Sequence, residues 1–387
     1  MQRVKVAHIV TRLDLGGAQQ NTVYTWSHLD SGRFEPLLVC GVGGLLDPEA
    51  AAIAEPAQAP RLRWLSALVR EIDPARDLLA LLQLINLFLA ERPAIVHTHS
   101  SKAGILGRLA AVFTGVPLIV HTYHGFGFND YQTALVKRLY VALERLCCRF
   151  THAIVFVSKA NEDYARRHGI GDPARYHLIR SGVRLSELPA RVADRDRRKA
   201  ELGFARNKPL VISVGNLKPQ KNPADFIAMA QRVSAQLPEA EFLFLGDGPL
   251  RQRLEFQLAA LGLAGRVKLA GWRRDIAELL SLADVFVLTS LWEGLPRALV
   301  EALKSGVPAV CYAADGIIDI LVDGVNGFVV APRDVTALSQ RVARLLSDDN
   351  LRREMGRRAA ASIGPEFDID LMVRAQERLY DALLGRD

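Results

Sequence analysis

Short apolar runs rich in β-branched residues alternate with helical patterns along nearly the whole chain. This alternation predicts βαβ units with parallel sheets. In the first half it predicts strands at 4–10, 36–40, 94–99, 117–122, 153–158 and 175–180. The second half restarts the pattern and predicts strands at 209–215, 241–246, 266–271, 284–290, 308–312 and 327–330. The chain is therefore predicted to be an α/β protein with two doubly wound halves.

The boundary between the halves is predicted where charge rises and no strand period is visible. We accordingly predict an N-terminal domain over 1–190, a linker region over 191–208 and a C-terminal domain over 209–364. A last helix over 365–387 has no strand after it, and we expect it to pack back on the N-terminal domain. Doubly wound sheets bind ligands beyond the carboxyl ends of their strands, so a cleft between the domains is the expected active site.

Composition narrows the class of protein. Half of the 387 residues are apolar and 24% are charged, which excludes a disordered chain. The longest near-apolar run, 78–90, contains Gln83 and Asn86 and is shorter than the ~20 residues of a membrane span. The first residues predict a β-strand rather than a signal peptide, so we expect a cytoplasmic protein. The four cysteines lack ligand spacing, and neither a disulfide nor a zinc site is expected.

The charge balance favours an anionic partner. The chain has 49 basic and 42 acidic residues, for a net charge of +7. Nucleic acid, an acidic membrane surface and a phosphorylated small molecule all fit this sign. The basic residues are spread along the chain, and aromatic residues make up 7% without forming a basic-aromatic stripe. This pattern disfavours nucleic acid.

Two glutamates eight residues apart follow the predicted strand 284–290. Glu293 lies in the loop after the strand, and Glu301 lies in the next helix, whose start is marked by Pro296. Amides at 293–295 and the helix dipole would bind an anion, while the carboxylates would accept hydrogen bonds from hydroxyl groups. The pattern suits a sugar nucleotide. The alternative is an ordinary loop with a solvated Glu301.

Two more strand-to-helix turns in the second half could contact phosphate. Lys218 and Lys221 precede a helix that Asn222 would cap and Pro223 would open. A lysine there can neutralise phosphate oxygens, although both lysines could equally be solvated. The turn GDGPL (246–250) follows another strand. Neither this turn nor GVGG (41–44) completes G-x-G-x-x-G, so nicotinamide binding finds little support.

The first half offers glycines and histidines at its predicted strand ends. Adjacent Gly16 and Gly17 lie between a strand and a helix and permit close backbone approach to a ligand. Each strand-end histidine could instead be a hydrogen-bonded core imidazole; these are His97, His99, His121 and His124. No carboxylate or cysteine is spaced to complete a metal site with His97 and His99, and the D-x-D at 194–196 follows no strand. We therefore predict no metal site.

Together these segments resemble the glycosyltransferase family 4 type of retaining enzymes, which have the two-domain GT-B fold. The resemblance covers nearly the whole chain, and its most specific part is the pair of glutamates within 271–308. The other segments that carry it are GGAQQN (16–21), HGF (124–126), the turn ending at Lys221, GDGPL (246–250) and DGVNGFVV (323–330). The segments 97–111 and 121–128 further resemble the branch that builds bacterial surface polysaccharides on polyprenyl-diphosphate carriers.

The resemblance implies roles for the matched residues. Glu301 would bind the nucleotide ribose, Glu293 the donor hexose and Lys221 the diphosphate, while His124 would contact the reacting sugar. The implied catalytic residues are His124, Lys221 and Glu293. The implied donor-binding residues are Gly16, Gly17, Asn216, Lys221, Gly246, Gly248, Gly294, Leu295, Arg297 and Glu301.

Three departures from the family pattern affect these roles. Asn216 stands where the family commonly has an arginine, so one of two phosphate cations is missing. Arg297 stands in place of the usual asparagine after Gly-Leu-Pro and could supply the lost charge. Residues 180–184 replace the usual Pro-Asn-Gly-Val-Asp, which alters the interdomain hinge.

The resemblance implies a retaining, metal-independent hexosyltransferase that needs no cofactor. Its donor would be a nucleotide-diphosphate sugar and its acceptor a glycan or polyprenyl-linked intermediate of cell-surface polysaccharide synthesis. Separately, the segment 133–150 puts Leu135, Leu139, Leu143 and Leu146 on one helical face. This face would either attach the protein to an anionic membrane surface or pack in the core with the basic side of the helix solvated. Two alternatives stay open: a sugar-nucleotide 2-epimerase of the same architecture, and a catalytically silent sugar-nucleotide-binding regulator.

Overall fold

The computed structural model describes residues 3–56, 59–189, 195–201, 203–205 and 208–386, which form two compact units. The N-terminal unit comprises the described residues up to Gly182 and from Ile369 onward. The C-terminal unit comprises those from Val183 to Asp368. The chain thus passes between the units twice.

The N-terminal unit is built on a parallel sheet of seven strands in the order β3-β2-β1-β4-β5-β6-β7. The strands are β1 (Val4–Arg12), β2 (Phe34–Gly41), β3 (Arg61–Trp64), β4 (Ile95–His99), β5 (Leu118–Tyr123), β6 (Ala153–Phe156) and β7 (Tyr176–Leu178). Every residue of β4 and β6 is buried, because helices cover both faces of a doubly wound sheet. The order reverses between β1 and β4, which is where such sheets bind ligands.

Six helices connect these strands: α1 (Gly17–His28), α2 (Asp47–Ala54), α3 (Pro74–Glu91), α4 (Ser101–Phe113), α5 (Ala134–Cys148) and α6 (Lys159–Arg167). Helix α3 shows how local sequence sets their bounds. The Asp73 side chain accepts a hydrogen bond from the Arg76 amide at 3.1 Å, and Pro74 occupies the first turn. Helix α3 ends at Glu91 and is capped by Arg92, whose φ of 49° is left-handed.

The C-terminal unit repeats the design with six parallel strands in the order β10-β9-β8-β11-β12-β13. They are β8 (Leu210–Val214), β9 (Glu241–Leu245), β10 (Val267–Leu269), β11 (Val285–Leu288), β12 (Ala309–Tyr312) and β13 (Gly327–Val330). The helices are α7 (Arg195–Glu201), α8 (Pro223–Gln236), α9 (Arg251–Ala260), α10 (Ile276–Ser281), α11 (Arg297–Lys304), α12 (Val335–Ser347) and α13 (Asp349–Ser362). Here the strand order reverses between β8 and β11.

The last helix, α14 (Ile369–Leu384), belongs to the N-terminal unit. Ile369 and the fully buried Tyr380 join a core cluster with Val4, Val6 and Phe34. The Tyr24 hydroxyl donates to Asp370 Oδ1 at 2.6 Å. The final segment of the chain therefore completes the core of the unit that the first segment begins.

The predicted fold class is confirmed, and the twelve predicted strands form with slightly different bounds. The sequence pattern did not predict β3, an edge strand whose last two residues, Arg63 and Trp64, are exposed. The predicted linker 191–208 contains helix α7, anchored by Arg195, which donates to Leu282 O at 2.9 Å and pairs with Asp284 at 2.6 Å. Among the described residues, no helix is both long and apolar enough to cross a membrane.

Candidate active site

The predicted phosphate-binding lysine and the first glutamate meet in the C-terminal unit, at the reversal of strand order. Lys221 ends a short 3-10 turn after β8, and Glu293 lies in the loop after β11. The Lys221 ammonium donates to Glu293 Oε1 in an ion pair. The side chains are only 16% and 7% exposed, so solvent screens the pair weakly. Sequence reasoning predicted both residues but not their contact.

Hydrogen bonds between the two loops hold this ion pair in place. The Leu291 amide donates to Gln220 O at 2.9 Å, and the Gln220 side chain donates to Trp292 O at 2.9 Å. The Thr289 hydroxyl donates to Lys221 O at 2.9 Å. These bonds fix both backbones before any ligand binds, which is the preorganisation that electrostatic stabilisation needs.

The Glu293 amide, predicted to face an anion, instead donates to Asp315 Oδ2 at 2.9 Å. Asp315 lies after β12 and has a φ of 34°, an uncommon left-handed value for a residue with a side chain. The prediction of free amides at 293–295 is therefore wrong for the amide of Glu293. Nothing in the sequence near Glu293 signals this contact, because Asp315 lies 22 residues away. Gly294 and Leu295 follow in the same buried loop.

Glu301 lies one turn after Arg297 on α11, which begins at Arg297 with Pro296 as its N-cap. Arg297 Nη2 lies 3.8 Å from Glu301 Oε1, and the two side chains are 14% and 16% exposed. Burial raises the pKa of Glu301, an effect that the Arg297 guanidinium opposes. Burial likewise lowers the pKa of Arg297. Arg297 thus partners a carboxylate of its own helix.

The turns after β8 and β9 pack backbone against backbone. The Leu217 amide donates to Asp247 O at 2.9 Å. Gly246 has a φ of 135°, and a Cβ there would lie 2.0 Å from the Gly215 carbonyl oxygen. At Gly248, with a φ of 158°, a Cβ would lie 2.7 Å from Leu217 O. Both glycines are thus required for this packing. Asn216 lies in the first turn, and its carbonyl accepts a bond from the Lys218 amide at 2.8 Å.

Gly16 and Gly17 lie where α1 begins, at the carboxyl end of β1. Gly16 is the N-cap, with an extended φ of −160°, and its carbonyl accepts a bond from the Gln20 amide at 3.0 Å. A Cβ at Gly16 would lie 2.9 Å from the flexible end of Gln19. Backbone strain therefore does not explain this glycine, and its approach to a ligand stays a prediction.

His124, the third predicted catalytic residue, follows β5 in the N-terminal unit and contacts a second histidine. His124 Nε2 lies 3.2 Å from His99 Nδ1, and His99 Nε2 lies 3.0 Å from His8 Nδ1. We call His8, His99 and His124 the histidine chain. Burial lowers the pKa of His8 to about 3 and that of His124 to about 4. These imidazoles are neutral near pH 7.

The other two strand-end histidines are hydrogen-bonded core residues. His97 contacts the Tyr380 hydroxyl at 2.5 Å and Thr122 Oγ1 at 2.7 Å through its two ring nitrogens. His121 Nδ1 lies 2.8 Å from Thr98 Oγ1. Burial lowers the pKa of both well below its ordinary value.

Sequence reasoning overlooked His8, which lies within the apolar strand β1. Ring nitrogens of His8, His97 and His99 lie within 4.8 Å of one another, and all three residues are buried. This third imidazole lies in an apolar strand far from His97 and His99 in the sequence, so no ligand spacing indicates it. The pairing of β1 with β4, which sets His8 opposite His97, is the signal that could have found it. In the predicted D-x-D, Asp194 lies outside the described residues.

Comparisons with known proteins identify the family. A model described as "Glycosyl transferase 4-like domain" matches residues 16–182, and one described as "Glycosyl transferases group 1" matches residues 194–362. The UDP-Gal:alpha-D-GlcNAc-diphosphoundecaprenol alpha-1,3-galactosyltransferase of Escherichia coli is 31% identical, covering 98% of this chain and 97% of its own. The chain belongs to this family of glycosyltransferases and is an enzyme of that class.

Solved structures agree on the fold. HepE of Anabaena, in complex with UDP and glucose, superimposes with a TM-score of 0.82 at 20% identity, covering 98% of this chain and all of its own. The sucrose-phosphate synthase of Thermosynechococcus elongatus gives 0.85 at 22% identity over the whole of both chains. The two parallel-sheet units are those of the GT-B fold.

Proposed function

We propose that this enzyme transfers a hexose from a nucleotide-diphosphate sugar to a lipid-diphosphate-linked glycan, with retention of anomeric configuration. The observation that carries the proposal is the arrangement after β8 and β11. There a partly buried lysine pairs with a buried carboxylate in two loops that hydrogen bonds join, and a second carboxylate lies on the helix that follows.

The difficult event is departure of the nucleotide diphosphate, which develops negative charge as the sugar–oxygen bond breaks. Lys221 stabilises this charge, and to do so its ammonium exchanges Glu293 for a phosphate oxygen. The released Glu293 carboxylate then accepts hydrogen bonds from hexose hydroxyls, while Glu301 accepts them from the ribose. The ion pair thus keeps each group in position for a different part of the donor.

Retention follows if the acceptor attacks from the face that the diphosphate leaves. The acceptor hydroxyl forms the new bond to the anomeric carbon, and its proton passes to the departing phosphate oxygen. This route needs no covalent sugar–enzyme intermediate and no metal ion. It needs a fixed cation on the leaving group, the role assigned to Lys221.

The lipid-linked acceptor is supported by the names of two relatives. One is the Escherichia coli galactosyltransferase described above. The other is the N,N'-diacetylbacillosaminyl-diphospho-undecaprenol alpha-1,3-N-acetylgalactosaminyltransferase of Campylobacter jejuni, 26% identical over 75% of this chain and 77% of its own. UDP-galactose is accordingly the first donor to test.

The test is a panel of nucleotide sugars with and without a synthetic N-acetylglucosaminyl-diphospholipid. We expect acceptor-dependent release of nucleotide from one donor and a product whose new linkage is α by NMR. A β linkage would refute retention. An epimerised donor without transfer would indicate the 2-epimerase, and binding of donors without turnover would indicate the regulator.

Helix α5 supports attachment to an anionic membrane. Three leucines of this face, Leu135, Leu139 and Leu146, are 79%, 59% and 46% exposed, and the fourth, Leu143, is partly buried, which disfavours the alternative that the face packs in the core. Arg138 and Arg149 are exposed beside them. Apolar side chains beside cations suit the interface of a bilayer with acidic headgroups.

Flotation with phosphatidylglycerol vesicles tests this attachment. We expect the protein to float at low salt and Leu139→Glu to reduce the bound fraction severalfold. Phe256→Glu is a matched control, since Phe256 is 69% exposed on α9 of the other unit. Absence of wild-type binding, or equal loss in both variants, would refute attachment through α5.

A further inference from the structure

The histidine chain connects a fully buried strand residue to the predicted sugar-contacting residue. It has two hydrogen bonds, from His8 to His99 and from His99 to His124. The two outer nitrogens, His8 Nε2 and His124 Nδ1, are buried and have no hydrogen-bond partner among the described residues. Each end of the histidine chain thus has one ring nitrogen outside the two hydrogen bonds. Whether that nitrogen carries a proton depends on the direction of the bonds within the histidine chain.

Three neutral imidazoles carry three ring protons. Burial lowers the pKa of all three members, so none is charged near pH 7. A neutral imidazole has one donor and one acceptor nitrogen, and each hydrogen bond needs one of each. Only two proton arrangements therefore satisfy both bonds. They differ in the direction in which every bond runs.

In the first arrangement, His8 Nδ1 donates to His99 Nε2, His99 Nδ1 donates to His124 Nε2, and the third proton lies on His124 Nδ1. In the second, every bond is reversed and the third proton lies on His8 Nε2. That nitrogen is buried without a partner. His124 Nδ1 lacks a partner among the described residues as well, so each arrangement leaves one N–H unpaired. His8 is fully buried, whereas the His124 residue is only partly buried, so a proton on His124 Nδ1 lies nearer to a water or ligand oxygen that can accept it, and this favours the first arrangement.

Packing holds the middle ring in place. The His97 ring lies 4.4 Å from that of His99, centroid to centroid, and His97 is itself fixed at both nitrogens by Tyr380 and Thr122. The His8 ring stacks on that of His99 with an interplanar angle of 16°. His99 therefore has little freedom to rotate away from either partner.

We propose that His8 and His99 are positioning residues that hold His124 in the tautomer with its proton on Nδ1, so that His124 donates a hydrogen bond to an oxygen of the bound sugar. The contact between His124 and the sugar rests on the proposed function. The tautomer is a property of the protein without substrate. It makes Nδ1 of His124 a donor and excludes it as a proton acceptor in the resting enzyme.

Nitrogen-15 NMR of the histidine rings in the full chain tests the tautomer directly. We expect the His124 signals, assigned from their absence in His124→Gln, to show a protonated Nδ1 and an unprotonated Nε2. His8→Leu removes the donor to His99, and we expect His124 to become a mixture of tautomers although the two residues do not touch. His8→Asn keeps an amide that can donate to His99, and should restore the wild-type pattern.

A proton on Nε2 of His124 in the wild type would overturn the proposal, and this measurement needs no variant. An unchanged tautomer in folded His8→Leu would overturn the role of His8. His28→Leu, a change of an exposed histidine, is the control that should leave His124 unaffected.

Kinetics with the active donor then connect the tautomer to function. We expect His8→Leu to lower kcat about 2- to 5-fold, because only the molecules that keep the proton on His124 Nδ1 can donate to the sugar, with KM nearly unchanged. His8→Asn should recover most of this loss. A mixed tautomer with wild-type kcat would overturn the functional role while leaving the tautomer assignment intact. Failure of every donor to react would refute the proposed function without touching the NMR result.

Discussion

The two units share one architecture but differ in the side chains near the reversal of strand order: one has histidines there and the other has ion pairs. All nine histidines of the chain precede Val183 and thus lie in the N-terminal unit, five of them in or directly after β1, β4 and β5. The C-terminal unit has none: the loops after β8 and β11 carry the Lys221–Glu293 pair, and helix α11 carries the Arg297–Glu301 pair. The reversal of strand order supplies a position for a ligand, and the side chains there decide which ligand it suits.

The difference has a physical reason in the proposed reaction. A diphosphate needs a fixed cation, and a buried cation needs a carboxylate while no ligand is bound. Sugar hydroxyls are neutral, and neutral imidazoles can donate to them or accept from them without any buried charge. At these positions the C-terminal unit therefore places paired charges, whereas the N-terminal unit places neutral imidazoles.

The largest expected difference between the units is in their stability at acidic pH, where the N-terminal unit with its buried histidines should lose more stability. In the unfolded chain the buried histidines regain a pKa near 6.5, whereas in the folded chain His8 stays neutral down to about pH 3. The unfolded state thus binds more protons below pH 6.5, so stability is lost as the pH falls. At pH 5 the loss is about 2 kcal/mol for each histidine that stays neutral.

Hydrogen exchange of the full chain at pH 7.5 and pH 5, corrected for intrinsic rates, measures this loss. Amides of β1 and β4 should lose far more protection than those of β8 and β11. Equal loss of protection in both units would show that the histidines are not the cause.

Among the activity changes, removal of the Lys221 ammonium should cause the largest loss. Lys221→Ala removes the charge that faces the leaving diphosphate, and we expect at least a ~100-fold fall in turnover, as for loss of a preorganised stabilising donor. Lys218→Ala, in the same turn, is the matched control and should cost less. Near-normal turnover in Lys221→Ala would remove Lys221 from the mechanism.

The second carboxylate should affect nucleotide affinity. Glu301→Gln keeps the shape but loses the charged acceptor, so binding of the nucleotide should weaken by about 1.5–3 kcal/mol. Burial raises the pKa of Glu301, so this carboxylate becomes protonated at a higher pH than an ordinary glutamate. As the pH is lowered, the affinity of the wild type for nucleotide should therefore begin to fall at that higher pH. The variant should lack this pH dependence.

Calorimetric titration with nucleoside diphosphate measures both effects. Glu255→Gln is a suitable control, since Glu255 is 52% exposed on α9. Equal affinities in Glu301→Gln and the wild type would show that Glu301 does not bind the ribose.

Chelation should have the smallest effect. The proposed leaving-group stabiliser is a lysine rather than a divalent ion, so activity should survive EDTA unchanged. Complete loss of activity that Mg²⁺ or Mn²⁺ restores would refute the metal-independent mechanism and redirect attention to the nitrogen cluster of His8, His97 and His99.

The sequence predicted the fold almost completely because buried parallel strands are continuous apolar runs, as at 209–215 and 284–290. It missed β3, where Arg61, Leu62, Arg63 and Trp64 form an edge strand with two exposed residues and no such run. A strand that is not fully buried, such as β3, therefore lacks the apolar run by which the other strands were predicted.

The sequence proposed residues for the candidate site but not the contacts between them. Lys221 and Glu293 were found from turns and spacing, yet their ion pair joins residues 72 positions apart. The Asp315 bond to the Glu293 amide and the link from His8 to His99 have the same origin. Each depends on which strands become neighbours, and no local pattern encodes that.

The return of α14 to the N-terminal unit has a consequence for synthesis of the protein. The core around Val4, Val6 and Phe34 lacks Ile369 and Tyr380 until α14 has been made. At about 5–20 residues per second, a ribosome needs roughly 10–40 seconds to pass from Gly182 to Ile369. The C-terminal unit therefore has all its strands and helices before the N-terminal unit has its last one. Translation that stalls near the end would release a chain whose second half is complete and whose first half still exposes an apolar surface.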